Sequence, residues 1–454
     1  MSDLLAPCFL LLALGLLALM VYQGLKRQVE LLSVRNLYLG GFIVYQLYNP
    51  AVVVSTQMTG MFQVERINSA ASVLLGYACV FIPCFLIAYH YGVGFKWLAR
   101  KISPKATDSS DYLLLTLSLC ISGAVILIRL APPIPVISSV LYHLSIGLAA
   151  IACGMIGWVW AKRSFNPLVV AVGLLVFSIC MGVAIWGAFG RRSILAVGFG
   201  LVWGVYYRYG RNLNPLRVLI WTSPMLLATL LVVSAFTAMR GETRAEGWSL
   251  SQTFKSMTQS DASSGAKDVL SGQTCGSAAM WCVENYPRPN EMRHLFSLRQ
   301  MVIQFVPRMM WEDKPKPLAN DLASLAQIQG VDHSKITLPP GVLGYAAAEG
   351  GIYAAIVYAV FFGGFVRLFD ELISLNIDNP YIVLATGSCS GHFLGLARGD
   401  IANFTINIVV TFVGSLLILY VLSKLLGKPV QRYAPQWSHP AGHATSRHYQ
   451  HHDG

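Results

Sequence analysis

Along this chain the polar residues fall into short islands, and between them run long stretches that are almost wholly apolar. A helix needs about 20 apolar residues to cross the hydrocarbon core of a bilayer. By that measure the pattern predicts eleven crossing helices, over residues 4–22, 37–55, 69–91, 112–130, 139–160, 167–189, 193–207, 217–238, 341–365, 380–397 and 401–423. Three are imperfect. Asn49-Pro50 interrupts the second, the seventh has only fifteen good residues, and the tenth carries Ser388, Ser390 and His392. Such breaks persist inside a bilayer only where neighbouring helices or a water-filled cavity satisfy the freed polar groups. The first stretch has no basic segment before it and no A-x-A cleavage site, so it reads as a retained helix. No internal repeat of the kind many transporters show is visible.

Residues 239–340 break the pattern: about a hundred residues of hydrophilic sequence between the eighth and ninth stretches. Seven prolines lie in it, from Pro287 to Pro340. A structureless loop of this length is uncommon and is usually functional or disordered. Within it, Leu295–Met310 carries apolar residues at helical spacing and predicts an amphipathic helix along the membrane surface. The chain therefore divides into helices 1–8 (residues 1–238), a large loop (239–340), helices 9–11 (341–426) and a His-rich tail (427–454) that reads as disordered.

Composition excludes a soluble enzyme and a disordered chain alike. Of the 454 residues 55% are hydrophobic and 12% charged, about half the usual charge of a soluble domain. The net charge of +12 suggests nucleic acid only if it forms a basic face on a folded soluble body, and here it does not. Lysine and arginine report orientation instead. Lys96, Arg100, Lys101 and Lys105 share one connection, Lys162 and Arg163 another, and Arg208, Arg211 and Arg217 a third, whereas 131–138 has no charge. With those three in the cytoplasm, seventeen Lys/Arg outside the loop lie inside and five lie outside or at the outer edge. The N-terminus then faces out, the tail faces in and the loop is extracytoplasmic. If 193–207 does not cross, everything after it inverts. The loop, with eleven Lys/Arg and ten Asp/Glu, is nearly neutral.

The informative charges oppose this bias. Arg191 and Arg192 occupy a tight outer hairpin, Arg240 and Arg244 follow the eighth stretch, Arg398 and Asp400 share the last outer connection, and Arg129 ends the fourth helix. One arginine at a helix end is ordinary snorkelling. Several at one membrane level offer planar, bidentate donors suited to phosphate oxygens. The chain has no P-loop, nucleophile elbow, H-E-x-x-H or paired C-x-x-C, and nothing indicates a metal. An acid–base group must then come from Asp400, Glu349, Glu242, His294, His333 or His392. Asp400 serves equally as a partner for Arg398, and Glu349 as a hydrated interface residue. Seven of nine cysteines lie in apolar stretches; Cys275 and Cys282 share the loop, as a disulfide or as free thiols.

Four segments carry a family resemblance: Gly-Arg-Arg-Ser at Gly190 to Ser193, Phe-Val-Pro-Arg-Met-Met-Trp-Glu-Asp-Lys-Pro from Phe305 to Pro315, Pro-Pro-Gly-Val-Leu-Gly-Tyr-Ala-Ala-Ala-Glu-Gly-Gly from Pro339 to Gly351, and Leu-Ala-Arg-Gly-Asp from Leu396 to Asp400. With them, and a layout shared over nearly the whole chain, the sequence resembles the O-antigen (oligosaccharide repeat unit) polymerases of the Wzy type. The resemblance implies an all-α, GT-C-like polytopic glycosyltransferase of the bacterial inner membrane. It would join undecaprenyl-diphosphate-linked repeat units into a surface polysaccharide at the outer face. Arg191, Arg192, Arg240 and Arg398 would hold the diphosphate, and Asp400, Glu349 or His333 would take a proton from the attacking hydroxyl. Arg244, Arg308 and Trp311 would hold glycan. No cofactor is implied. The implied partners are the lipid-linked oligosaccharide, membrane lipid, a chain-length regulator and a flippase, with no nucleic acid. An O-antigen ligase shares the layout. A polyprenyl-phosphate-sugar transferase would place an acidic loop after the first helix, where residues 23–36 are basic, and a flippase would bury charge deep in several helices.

Overall fold

The computed structural model describes residues 2–103, 110–131, 137–185, 191–220, 275–304, 306, 310–329, 332–333 and 336–426. Among them the regular structure is helical throughout, with no strand. Seven helices are long and apolar enough to cross a membrane: Leu4–Leu25, Val34–Thr56, Ile67–Tyr91, Asp111–Leu130, Pro167–Ile185, Ile352–Leu375 and Ile401–Leu426. The chain is a polytopic membrane protein. Two more apolar helices, Leu144–Trp160 and Ser193–Arg208, are shorter. Most of the expected eighth helix (217–238), the first part of the loop (239–274) and the tail (427–454) lie outside the described residues.

We number the helices in chain order. The first part of the chain forms α1 (Ser2–Leu25), α2 (Val34–Phe42), α3 (Asn49–Thr56), α4 (Ile67–Tyr91), α5 (Val93–Ile102), α6 (Asp111–Leu130), α7 (Ile137–Trp160), α8 (Pro167–Ile185) and α9 (Arg191–Arg208). The second expected crossing is continuous despite Asn49-Pro50, because a π-helical turn, Ile43–Tyr48, joins α2 to α3 and Pro50 falls in the first turn of α3. Its polar residues are not wasted: Gln46 and Asn49 are buried and bond to later segments.

Two close contacts set the bundle. Where α7 crosses α9, a Cβ at Gly204 would lie 2.1 Å from the carbonyl oxygen of Gly154, so only glycine lets these backbones meet. Along α2, α4 and α14 (Ile352–Leu375) runs an aromatic seam, with Tyr38 on Phe85 at 4.9 Å and Phe42 on Phe81 at 5.0 Å between ring centres.

The second half departs most from simple crossings. Residues 275–340 contain α10 (Cys275–Asn285), α11 (Phe296–Ile303) and α12 (Leu318–Leu325). Hydrophilic on average, this segment still feeds the core: Cys275 through Cys282 are all buried, packed on α3, α4 and α13 (Gly341–Glu349). The amphipathic helix expected over Leu295–Met310 is the shorter α11. The expected ninth crossing splits into α13 and α14 at Gly350-Gly351, both at positive φ. The tenth splits into α15 (Pro380–Ser388) and α16 (Ser390–Leu396), and α17 (Ile401–Leu426) closes the described chain.

Candidate functional site

The short α15–α16 pair ends in a connection, Ala397 to Asp400, that is buried except for the half-buried Arg398. Gln46, on the π-helical turn, ties it in place. Its Nε2 donates to the Ala397 carbonyl at 2.9 Å and lies 3.5 Å from Cys275 Sγ, while its Oε1 accepts from Leu343 N–H at 3.3 Å. Val342 N–H donates to the same Ala397 carbonyl at 3.0 Å. The amide of Gln46 fills the space beside Gly341, whose φ of +73° and lack of a Cβ are both required there. Asn49 completes the seam by accepting from Gly276 N–H at 2.8 Å, at the start of α10. The interruption in the second apolar stretch thus anchors α10, α13 and the 397–400 connection together.

Asp400 is 6% exposed and caps α17, its Oδ1 accepting from Ala402 N–H at 3.0 Å and Asn403 N–H at 3.2 Å. Both bonds fall on one oxygen, which leaves the other for a ligand. Burial pushes the carboxyl up to about 6, and the two peptide donors hold it from rising further. Arg398 does not pair with it. Its guanidinium lies over the Tyr45 ring at 5.6 Å, and its buried Nε has no hydrogen-bond partner among the described residues. A buried donor left unpaired costs about 1–3 kcal/mol, which an incoming oxygen recovers.

Beside these groups sit carboxamides. Gln304 Nε2 reaches Asn403 Oδ1 at 3.4 Å and Asn407 Nδ2 reaches the same oxygen at 3.3 Å, both long. The Oε1 atoms of Gln300 and Gln304 are buried without a partner among the described residues. Lys314 fixes the end of α11 by donating to the carbonyls of Gln304 at 3.1 Å and Val306 at 2.9 Å. A cation, a carboxylate and amides with unused hydrogen-bonding capacity therefore cluster around the start of α17 and the end of α11.

Glu349 belongs elsewhere. It is 1% exposed, so it is not a hydrated interface residue. Its carboxylate accepts from Ser297 N–H at 2.9 Å, from Ser297 Oγ at 2.6 Å and from the Tyr358 hydroxyl. Burial raises its pKa, against those donors. Glu349 thus caps the start of α11, whereas Gln304 follows its end, about 12 Å away for eight residues at 1.5 Å each. His333 is exposed, its Nε2–H donating to the Ile328 carbonyl at 2.8 Å. Trp311 is 40% exposed. Arg191 and Arg192 open α9; their side chains, like Arg240, Arg244 and Arg308, lie outside the described residues. Cys275 and Cys282 are buried free thiols, and burial pushes Cys275 up to about 12. No cluster suited to a metal occurs among the described residues.

Of the expected residues Arg398 and Asp400 share the connection before α17, without pairing with each other. The sequence reading missed Gln46, Gln304 and Asn403. The signal for Gln46 was present, a glutamine in an apolar stretch close to an Asn-Pro break. Gln304 and Asn403 meet only through the return of the loop onto α17. Comparison of the chain with family models, with curated proteins and with solved structures finds no match to any of them.

Proposed function

We propose that the chain is a membrane glycosyltransferase that joins undecaprenyl-diphosphate-linked oligosaccharide repeat units into a polysaccharide, on the extracytoplasmic side of a bacterial inner membrane. The observation that carries this reading is the Arg398–Asp400 connection, with a buried guanidinium donor and a carboxylate oxygen that have no partner among the described residues, and carboxamides alongside. Each group has a task. The Asp400 carboxylate takes the proton from an acceptor sugar hydroxyl as its oxygen attacks the anomeric carbon of the donor. The bond from that carbon to the diphosphate oxygen breaks, and the lipid diphosphate leaves with the electron pair. Arg398 meets the charge that develops on it. A carboxyl with a pKa of about 6 is better matched to accepting a proton near neutral pH than an ordinary aspartate. Gln304, Asn403 and Asn407 supply donors and acceptors of the kind that sugar hydroxyls require. Arg191 and Arg192 extend the diphosphate site in this proposal.

The decisive experiment is reconstitution in liposomes with a synthetic diphosphate-linked repeat unit. Dimers and longer products are expected. Transfer only to a lipid core would make the chain a ligase, and translocation without a new glycosidic bond would make it a transporter. A reporter fused near Ser264 is expected to be active only in an extracytoplasmic compartment; activity in the cytoplasm overturns the orientation and the side of the reaction with it.

A further inference from the structure

A second site lies at the other end of the bundle. The α15–α16 pair begins next to Asp378 and ends before Arg398, and Asp378 stands 3.8 Å from Arg211. There the end of α1 and the short turn Gly210–Asn212 after α9 enclose a cleft of about 260 Å³. Arg27 and Arg211 both line it, together with Glu30 and Tyr206.

One oxygen of the acidic group in the cleft is taken: Tyr206 Oη donates to Glu30 Oε2 at 2.6 Å and accepts from Leu31 N–H at 3.1 Å. The two cations keep more spare capacity than this single carboxylate. Arg27, held at a φ of 55° that is uncommon for a residue with a side chain, reaches across and donates through one Nη to the Leu213 carbonyl at 3.1 Å. Its remaining N–H groups have no partner among the described residues. The Arg211 contact to Asp378 is long, and that aspartate is 90% exposed, so it is worth little. Two planar forks with spare donors, both lining one polar cleft, suit a tetrahedral oxyanion. The volume is below the roughly 300 Å³ where pockets begin to enclose whole drug-sized ligands, and fits a headgroup fragment. Leu25, Tyr209 and Leu216 stand exposed beside the cleft, an apolar rim that acyl chains can follow.

We propose that this cleft binds a phosphate ester, with an anionic phospholipid headgroup as the source favoured by its apolar rim. The site is independent of the glycosyl-transfer reading and is tested without turnover. Full-length protein in detergent is titrated with phosphatidylglycerol, phosphatidylcholine and free glycerol 3-phosphate, and bound ligand is read by native mass spectrometry. Phosphatidylglycerol is expected to be retained at least tenfold better than phosphatidylcholine. The Arg27→Gln/Arg211→Gln double variant is expected to lose that preference, while Arg288→Gln, at an exposed position of the loop, keeps it. Saturable binding of glycerol 3-phosphate, abolished by the same double variant, would identify a soluble ester as the source. Should the double variant fail to fold, Arg27→Lys and Arg211→Lys keep the charge and lose the fork, and each is expected to weaken retention several-fold. Equal retention of the two lipids with no binding of the free ester, or undiminished binding in the glutamine or lysine variants, overturns the proposal.

Discussion

In two places an arginine and an aspartate are withdrawn from the surface, one of the two buried and the other half-buried, and the two places treat them in opposite ways. Where α2 begins, Arg35 is 0% exposed and every nitrogen of its guanidinium donates: Nη1 to Gln23 Oε1 at 2.6 Å, and Nε and Nη2 to Asn36 Oδ1 at 3.2 and 2.9 Å. Asp370, arriving from α14, accepts Val34 N–H at 2.7 Å, Arg35 N–H at 3.1 Å and the Tyr89 hydroxyl at 2.8 Å. Every guanidinium nitrogen of Arg35 and both oxygens of Asp370 are thus engaged. Before α17, by contrast, the buried Nε of Arg398 has no partner among the described residues, Asp400 uses one oxygen, and the neighbouring amides are half-satisfied there. Burial of charge alone does not mark a functional group. What distinguishes the two is the accounting of hydrogen bonds, since buried polar groups are nearly always paired unless a ligand is to complete them.

That contrast can be broken by substitution. The largest effect is expected at Asp400→Asn. Asparagine caps a helix as well as aspartate does, so insertion and folding should persist while polymer formation falls by about 10²–10⁴-fold. Unchanged glycan ladders would remove Asp400 from the chemistry. Arg398→Ala should cut turnover by about 10²–10³-fold with little change in thermal unfolding. The reverse signature is expected at Asp370→Ala. Stripping one partner from the satisfied cluster should cost about 3–5 kcal/mol of stability, read as a lowered unfolding temperature in detergent. Turnover per folded molecule should hardly move; if activity instead collapses in folded protein, the distinction between the two clusters fails.

Smaller effects sharpen it. Glu349→Ala leaves the Ser297 and Tyr358 donors without an acceptor, an expected loss of about 1–3 kcal/mol. Hydrogen exchange should show it first at the α11 amides, because Glu349 holds that helix; uniform exchange across the bundle would refute a local latch. Turnover should also rise with pH through about 6, since Asp400 must lose its proton to accept one, and should be lost below it. A profile flat across that range would assign the base elsewhere. The mildest change is Asn403→Ala, where loss of one hydrogen bond of about 0.5–1.5 kcal/mol should raise KM roughly two- to tenfold and leave kcat near its original value.

Much of the architecture was legible in the chain. Apolar runs such as 69–91, 112–130 and 401–423 appear as helices within a few residues of the expected ends, because a stretch that must satisfy its backbone in lipid has little choice but to be helical. The splits at Gly350-Gly351 and Cys389 were less visible, since an apolar average conceals a change of direction. The loop was misleading in another way. Its mean polarity pointed to the surface, yet Cys275–Cys282 is a run of small and apolar residues that is packed into the core. Arg398 and Asp400 stood out as charges against the orientation bias, but their lack of mutual pairing did not.

The sequence by itself determined that this is a many-helix membrane protein, and it singled out one long hydrophilic segment and a few arginines at the ends of apolar stretches. Those properties follow from hydropathy and charge summed along the chain, which need no knowledge of what touches what. Only the tertiary structure decided which of the charges are spent. Whether Glu349 is a latch or a base, whether Arg35 is saturated while Arg398 is open, and whether Gln46 is a flaw or a keystone all depend on which donors and acceptors the fold brings alongside, from one residue away for Arg35 to 351 for Gln46. Hydrogen bonding is directional and short-ranged, and composition does not encode it.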